Sequence, residues 1–273
     1  MISFPNAKIN LGLYITEKRA DGFHSIETVF LPIPKLCDIL EVLPMPLQET
    51  PFLFSQSGLQ VDGNEIDNLC VKAFNLLNKL VKLPEIAIHL HKQIPMGAGL
   101  GGGSADGAFA LSMLNQLAEK PLPERELTKL ALELGSDCPF FLKNSICFGS
   151  GRGEVLELVD IKLSGYYLLL VNPNIHVNTG IAYRQSTPSP APFNLRQISD
   201  VPIDKWKNLV TNDFEKVVFP SHPEIELLKN ELYSIGAVYS SMSGSGSTVF
   251  GIFRNKPEIP SSFKDYFTHI SEL

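Results

Sequence analysis

No run of apolar residues in this sequence approaches the roughly 18 that a membrane span needs; Tyr166 to Val171 is among the longest. The opening Met1-Ile2-Ser3-Phe4-Pro5-Asn6-Ala7-Lys8 has no apolar core of the kind a signal peptide carries. Basic residues are in deficit, with 23 Lys and Arg against 29 Asp and Glu, a formal charge of −6 and a pI near 5.6. That balance argues against a nucleic-acid-binding protein, whose phosphate contacts need clustered Lys and Arg. A local site on an acidic protein can still be positive, so a nucleotide substrate stays open. Only four cysteines occur (Cys37, Cys70, Cys138 and Cys147), with no CxxC pair and no histidine at zinc-ligand spacing. They read as buried thiols in a reducing compartment rather than a disulfide or zinc framework. These absences set the expectation of a soluble, cytoplasmic protein with no nucleic-acid or membrane partner.

What is present is material for a core. Hydrophobic residues make up 44% and charged residues 19% of 273 positions, which fits packed domains rather than disorder. The length allows two modest domains or one large one.

The first segment alternates. Ala7, Ile9, Leu11, Leu13 and Ile15 share one face of a strand, and Lys8, Asn10, Gly12 and Tyr14 share the other. A tight turn follows at Ala20-Asp21-Gly22, and further strands are expected over 26–33 and 39–43. From Asn68, a fitting N-cap, Cys70, Ala73, Phe74 and Leu77 carry a helical period. Ile86, Ile88 and Leu90 form a strand that runs into a glycine-rich loop. Ser104 is expected to open the next helix, and a second starts near Pro123, ended by Gly135 in a left-handed conformation. In the second half, strands are expected over 163–171, 237–240 and 248–253. A helix from Pro223 to Ile235 is stopped by Gly236. Thr187 to Pro192 (TPSPAP) reads as a surface loop. No internal repeat is visible, and the composition places a domain boundary between about 150 and 163.

The loop is Pro95-Met96-Gly97-Ala98-Gly99-Leu100-Gly101-Gly102-Gly103-Ser104-Ala105, with five glycines among seven consecutive positions. Glycine lets backbone N–H groups converge on one point, and a helix starting directly afterwards adds its unpaired amides and positive dipole end. Strand, glycine loop and helix together make an anion cradle, with phosphate the natural anion. A flexible connector would not need those flanking patterns. A Walker A loop requires a Gly-Lys-Ser/Thr that is absent here. Gly97, Gly99 and Gly102 do spell GxGxxG, but a dinucleotide fold would follow with a parallel strand where this sequence has a second helix. No HRD or DFG segment of a protein kinase follows either.

The proline before the loop, its Gly-Leu-Gly-Gly-Gly-Ser core and its helical exit resemble the phosphate motif of the GHMP kinases. Further segments are similar to the branch of that superfamily acting on CDP-methylerythritol. They are Asn6-Ala7-Lys8-Ile9-Asn10-Leu11-Gly12-Leu13; Arg19-Ala20-Asp21-Gly22-Phe23-His24 with Glu27-Thr28; and Gly135-Ser136-Asp137-Cys138-Pro139-Phe140-Phe141. Asn212-Asp213-Phe214-Glu215 and Ser243-Gly244-Ser245-Gly246-Ser247 complete a set that runs in order through nearly the whole chain. The resemblance implies an α+β, two-domain GHMP architecture with the active site in the interdomain cleft, divided here as 1–155 and 156–273. It also implies ATP with Mg²⁺ as donor and the 2-hydroxyl of the methylerythritol unit as acceptor, in the non-mevalonate route to isoprenoid precursors.

By the same resemblance, Pro95 through Ala105 bind ATP, Asp137 accepts the substrate hydroxyl proton, and Lys8 pairs with it near the transferred phosphoryl. Taken alone, a strand lysine is ordinarily a solvated edge charge and an aspartate before Pro139 an ordinary helix cap. A neighbouring ammonium keeps a carboxylate ionised but weakens it as a base, so orientation and charge neutralisation share the catalytic load in a loose transition state. Phe23 and His24 suit a nucleobase, with Tyr183 stacking from the other side; the family's usual tyrosine at position 23 is replaced by Phe23. Asn10 is assigned to the sugar-alcohol end, Thr179 to substrate binding in the segment of Tyr183, and the turn Ser243-Gly244-Ser245-Gly246-Ser247 to a second backbone clamp, with a plain hairpin linker as the alternative. Ser104 is the candidate metal contact, with Asp106 either assisting Mg²⁺ or serving as a first-turn acid on the helix dipole. The rivals are another GHMP kinase, such as a homoserine or mevalonate enzyme, and a non-catalytic nucleotide-binding regulator on the same fold.

Overall fold

A computed structural model of the chain describes residues 1–46, 51–60 and 63–273. Its elements begin with β1 (Ile2–Ser3), β2 (Asn6–Lys18), β3 (His24–Cys37), β4 (Ile39–Pro44), β5 (Phe52–Gly58), α1 (Leu69–Leu77) and β6 (Ile86–Lys92). They continue with α2 (Gly102–Leu117), α3 (Glu124–Leu134), α4 (Cys138–Lys143), β7 (Cys147–Ser150), β8 (Val155–Leu158), β9 (Tyr167–Asn172) and α5 (Thr179–Gln185). The chain closes with α6 (Trp206–Leu209), α7 (Glu215–Ser221), α8 (Pro223–Ser234), β10 (Tyr239–Met242), β11 (Val249–Phe253) and β12 (Phe267–Glu272). The α+β class is as expected. Among the described residues no helix is long and apolar enough to cross a membrane.

Two compact units form, interleaved along the chain. The first comprises Met1–Ala7, Pro34–Met96 and Gly101–Asn144, and the second Lys8–Ile33, Gly97–Leu100 and Ser145–Leu273. Positions 155 and 156 both lie in the last segment of the second unit, Ser145–Leu273, and the long strands β2 and β3 each change unit along their length.

The first unit has a four-stranded sheet in the order β1-β4-β6-β5, with β5 parallel and β4 antiparallel to β6. Ile86, Ile88, Leu90 and Lys92 of β6 face inward, as its alternation predicts apart from the lysine. Helices α1 to α4 pack on one another, and α2 also lies on β4. Asn68 caps α1 as expected, its side chain accepting from the Cys70 N–H at 2.9 Å. Two expectations shift. Helix α2 starts at Gly102 rather than Ser104, because Gly101, at φ 72°, makes the turn into it. Gly135 ends α3 at φ 173° and ψ 156°, extended rather than left-handed, since the chain leads straight on into α4 instead of wrapping back.

The second unit contains the antiparallel sheet β10-β11-β9-β12 and the sheet β2-β3-β7-β8. Strand β9 begins at Tyr167, four residues after Leu163. Gly165 at φ 84° and a Tyr166 N–H to Leu163 oxygen bond of 3.0 Å make a turn there first. Gly236, at φ 103°, stops α8 as expected, and this delays β10 to Tyr239. Leu13, Ile15, Leu169, Val171, Phe214 and Met242 belong to one buried apolar cluster. The proline-rich 187–192 stretch has no regular structure and is largely exposed, with the Ser189 N–H bonded to the Ile15 oxygen at 3.0 Å.

Every residue of β2 from Asn6 to Ile15 is buried, so both faces of this strand are covered, the polar one included. Gly12 sits within it at φ 70°, where a Cβ would come within 2.8 Å of Leu195 and 2.9 Å of Val210. Backbone strain and overpacking then act together, and Gly12→Ala should lose about 2 kcal/mol or more of stability. A urea midpoint equal to that of the wild type would contradict this account of the strand.

Candidate active site

The glycine loop is built on a two-residue repeat. Gly97, Gly99 and Gly101 hold φ angles of 64°, 77° and 72°, while Ala98 and Leu100 between them are buried. Left-handed residues at alternate positions are the backbone pattern of anion-binding nests, and α2, 16 residues long, starts directly afterwards. The operative spacing is thus Gly97, Gly99 and Gly101; the dinucleotide-like match through Gly102 is incidental. Met96, before the repeat, is 47% exposed, whereas Ala105 is buried and donates its N–H to the Gly101 oxygen at 2.9 Å.

In the second unit a buried polar chain surrounds the loop carbonyl of Gly99. The Lys8 ammonium donates to Asn10 Oδ1 at 2.7 Å and to the Gly99 oxygen at 3.3 Å. Asn10 Nδ2 donates to Thr28 Oγ1 at 2.9 Å, and that hydroxyl donates to the Gly12 oxygen at 2.6 Å. The Ser243 hydroxyl donates to the same Gly99 oxygen at 2.8 Å and accepts from the Asn10 N–H at 3.3 Å. The backbones join as well, through the Lys8 N–H to the Leu100 oxygen at 2.9 Å. Lys8 and Asn10 are 3% and 2% exposed, so the lysine is no solvated edge charge. Of the predicted residues, Lys8, Asn10, Gly99 and Ser243 are brought together. Thr28, quoted in a motif without a role, completes the chain.

The turn carrying Ser243, Gly244 and Ser245 is held by the Asn212-Asp213-Phe214-Glu215 segment, whose roles were missed. Asn212 Nδ2 donates to the oxygens of Met242 and Gly244, both at 2.8 Å, and Oδ1 accepts from the Phe214 N–H at 3.0 Å. Asp213 accepts the Ile15 N–H at 2.8 Å, tying this segment to β2. Glu215 Oε1 accepts from the Met242 N–H at 2.9 Å and the Ser241 hydroxyl at 3.0 Å. The signal available in sequence was the cluster of short polar residues, which read as an unassigned motif.

The aromatic residues gather differently from the expected sandwich. Tyr183 is stacked by His24, with ring centres 5.0 Å apart and planes at 15°, and meets Phe214 edge-on at 4.8 Å. Phe23 is 48% exposed, and the Arg152 guanidinium lies 3.7 Å over its ring, within cation–π range. Burial, then the positive charge of Lys18, lowers the His24 pKa, so the stacked ring is the neutral imidazole at neutral pH. Thr179 and Ser245 share a hydrogen bond of 2.7 Å between their hydroxyls.

In the first unit Asp137 stands half-buried just before α4, and its side chain makes no capping bond to that helix. Burial first, then the charge of Asp137, pushes the adjacent Cys138 thiol up to about 12, opposed by a Ser104 hydrogen bond. Ser104 and Asp137 are therefore both neighbours of the Cys138 thiol. Asp106 does not join them. It is 2% exposed and its Oδ2 accepts from the buried Lys92 ammonium at 2.7 Å, so it is turned into the core rather than toward a metal. Among the described residues no group of three His, Cys, Asp or Glu side chains is placed to hold a metal ion.

A family model for the GHMP kinases N terminal domain matches residues 68–144, and one for the GHMP kinases C terminal region matches 202–265. The chain is 49% identical over 274 aligned residues to a Bacteroides fragilis 4-diphosphocytidyl-2-C-methyl-D-erythritol kinase, with all of both chains covered. It is 49% identical to an Azobacteroides pseudotrichonymphae protein of the same name, covering 98% of this chain and 99% of that one. A crystal structure of 4-(cytidine 5'-diphospho)-2C-methyl-D-erythritol kinase superposes with a TM-score of 0.79 at 30% identity, covering 92% of this chain and 90% of that one.

Asn212→Ala would strand the Gly244 carbonyl and the Phe214 N–H and take one of two donors from the Met242 carbonyl, each group left unpaired costing about 1–3 kcal/mol. The expected loss of unfolding free energy is about 3 kcal/mol or more by that rule. A measured loss under about 1 kcal/mol in a denaturant series would show that the 243–247 turn does not depend on this clamp.

Proposed function

This chain belongs to the GHMP kinases, in the group formed by the 4-diphosphocytidyl-2-C-methyl-D-erythritol kinases. We propose from this that it transfers the γ-phosphoryl of ATP to the 2-hydroxyl of 4-diphosphocytidyl-2-C-methyl-D-erythritol. The product is the 2-phosphate of the non-mevalonate route, made in the cytoplasm. The observation that carries the reading is the joining of Lys8 and Ser243 to the Gly99 carbonyl, which ties the N-terminal strand and the Ser243 turn to the phosphate loop. The division into kinase domains at 155/156 is part of the proposal and falls between the two matched family segments.

The triphosphate is assigned to the loop Pro95 through Ala105, whose glycine N–H groups are the donors offered to negative charge. In the reaction the 2-hydroxyl oxygen bonds to the γ-phosphorus while the bond from phosphorus to the ADP oxygen breaks. The hydroxyl proton passes to the Asp137 carboxylate. Lys8 supplies a fixed positive charge to the transferred group, and its bonds to Asn10 and Gly99 set the direction of the ammonium. Asn10 is assigned to the alcohol end, and His24, Tyr183 and Phe23 to the cytosine. Thr179 and the Ser243-Gly244-Ser245 turn form the second clamp. The Ser104 hydroxyl would be the chain's own contact for Mg²⁺, which would supply neutralisation of the phosphate charge of ATP. A Mg²⁺ ion held mainly by phosphate oxygens needs few protein ligands, which suits a site with Asp106 turned inward.

The test is ADP release from Mg-ATP with 4-diphosphocytidyl-2-C-methyl-D-erythritol, homoserine, mevalonate and galactose in parallel. Turnover is expected with the first only. Asp137→Asn should lower kcat by about 10²- to 10⁴-fold with ATP affinity retained. Turnover with another of the alcohols would overturn the substrate, and ATP binding with no acceptor at all would make the chain a regulator.

A further inference from the structure

Lys92, at the end of β6, is 1% exposed, and its ammonium is shared by two buried carboxylates, Asp38 and Asp106. Asp38 Oδ1 accepts from the N–H groups of Gln93 at 2.6 Å and Ile94 at 2.9 Å, and its own N–H donates to the Pro5 oxygen at 2.9 Å. Asp38 is thereby fixed to the strand end from which the glycine loop departs. Asp106, at the other end of the triad, lies in the second turn of α2 and takes the Lys92 proton donor through Oδ2 at 2.7 Å. Its Oδ1 is buried and accepts no hydrogen bond among the described residues.

As a stabilising device this arrangement is poor. Two carboxylates share one ammonium in the core, and a buried ion pair seldom outperforms apolar packing. Burial pushes Asp106 up to about 7 against the pull of Lys92, with the charge of Asp38 adding to the rise. Burial also works to lower the Lys92 pKa, yet Asp106 and Asp38 outweigh it and leave the ammonium firmly charged. What the triad does provide is direction. Apolar contacts slide, whereas charge-assisted hydrogen bonds have a defined length and angle. It also lies directly behind the first turn of α2: a Cβ on Gly102 would come within 2.9 Å of Ile94 and 3.3 Å of the Lys92 nitrogen.

We infer that Asp38, Lys92 and Asp106 are positioning residues for phosphate binding, holding the start of α2 at a fixed depth against β6 without touching substrate. The inference rests on the ATP-loop reading above. Asp106 matters here as a hydrogen-bond acceptor rather than as a charge, and Gly102 is glycine so that the helix can close on the lysine.

The experiment compares Asp106→Asn, which keeps an oxygen for Lys92 to bond, with Asp106→Ala, which does not. Both leave Lys92 paired with Asp38. Asp106→Asn should hold the KM for ATP within about twofold, and Asp106→Ala should raise it about tenfold, with kcat and the KM for the alcohol nearly unchanged. Asp106→Leu, which fills the space without an acceptor, is read in the same way if the alanine variant does not fold. A melting temperature that falls in Asp106→Ala while the KM for ATP stays put would make the triad merely structural and overturn the inference. So would equal KM increases in the Asn and Ala variants. Calorimetry of the wild type with a non-hydrolysable ATP analogue separates the two readings: no binding there defeats the ATP loop itself, and the positioning inference with it.

Discussion

The carbonyl oxygen of Gly99 accepts hydrogen bonds from the Lys8 ammonium and the Ser243 hydroxyl, and much of the second unit is arranged around that convergence. Lys8 reaches it because Asn10 holds the ammonium from beside it on the same strand face. Asn10 in turn is anchored by Thr28, and Thr28 by the Gly12 oxygen. Ser243 reaches it because Asn212 and Glu215 pin the turn that carries it. Position 99 itself tolerates no side chain, since a Cβ there would collide with the Ser243 carbonyl. A partly buried carbonyl satisfied twice, beside buried polar partners, makes strong bonds and a stiff loop.

That stiffness bears on the chemistry. Phosphoryl transfer gives the protein little covalent work, so rate comes from groups already in place when charge develops. Buried polar chains are suited to this because each member fixes the next, and a missing partner costs more than the bond itself contributes. The same logic recurs in the first unit, where Asp38, Lys92 and Asp106 link the end of β6 to α2.

Much of this was legible in the sequence, and what escaped has a common physical cause. The β2 alternation, the Asn68 cap, the loop between strand and helix and the family motifs are local signals, each complete within a dozen residues. The buried second face of β2 was not local. Lys8 and Asn10 look like a solvated face until partners 91 and 233 residues away are known. Asp106 read as a first-turn acid or metal contact because the lysine that claims it belongs to the preceding strand. Strand β5 escaped because it is a largely exposed edge with little alternation. Phe23 and His24 were read together as one side of a nucleobase site, yet only His24 stacks on Tyr183, because β3 begins at His24 and Phe23 lies outside it, under Arg152. The Asn212 to Glu215 motif was visible as a pattern, but its work lies in backbone groups that carry no signature in sequence.

The most direct test of the central claim, that the loop is set for phosphate by its convergence on Gly99, is calorimetric binding to Gly99→Ala. Two ligands are compared with wild type: a non-hydrolysable ATP analogue and CDP. The account predicts that affinity for the ATP analogue falls about tenfold or more while affinity for CDP is retained. Unchanged affinity for the ATP analogue in a folded variant would contradict it.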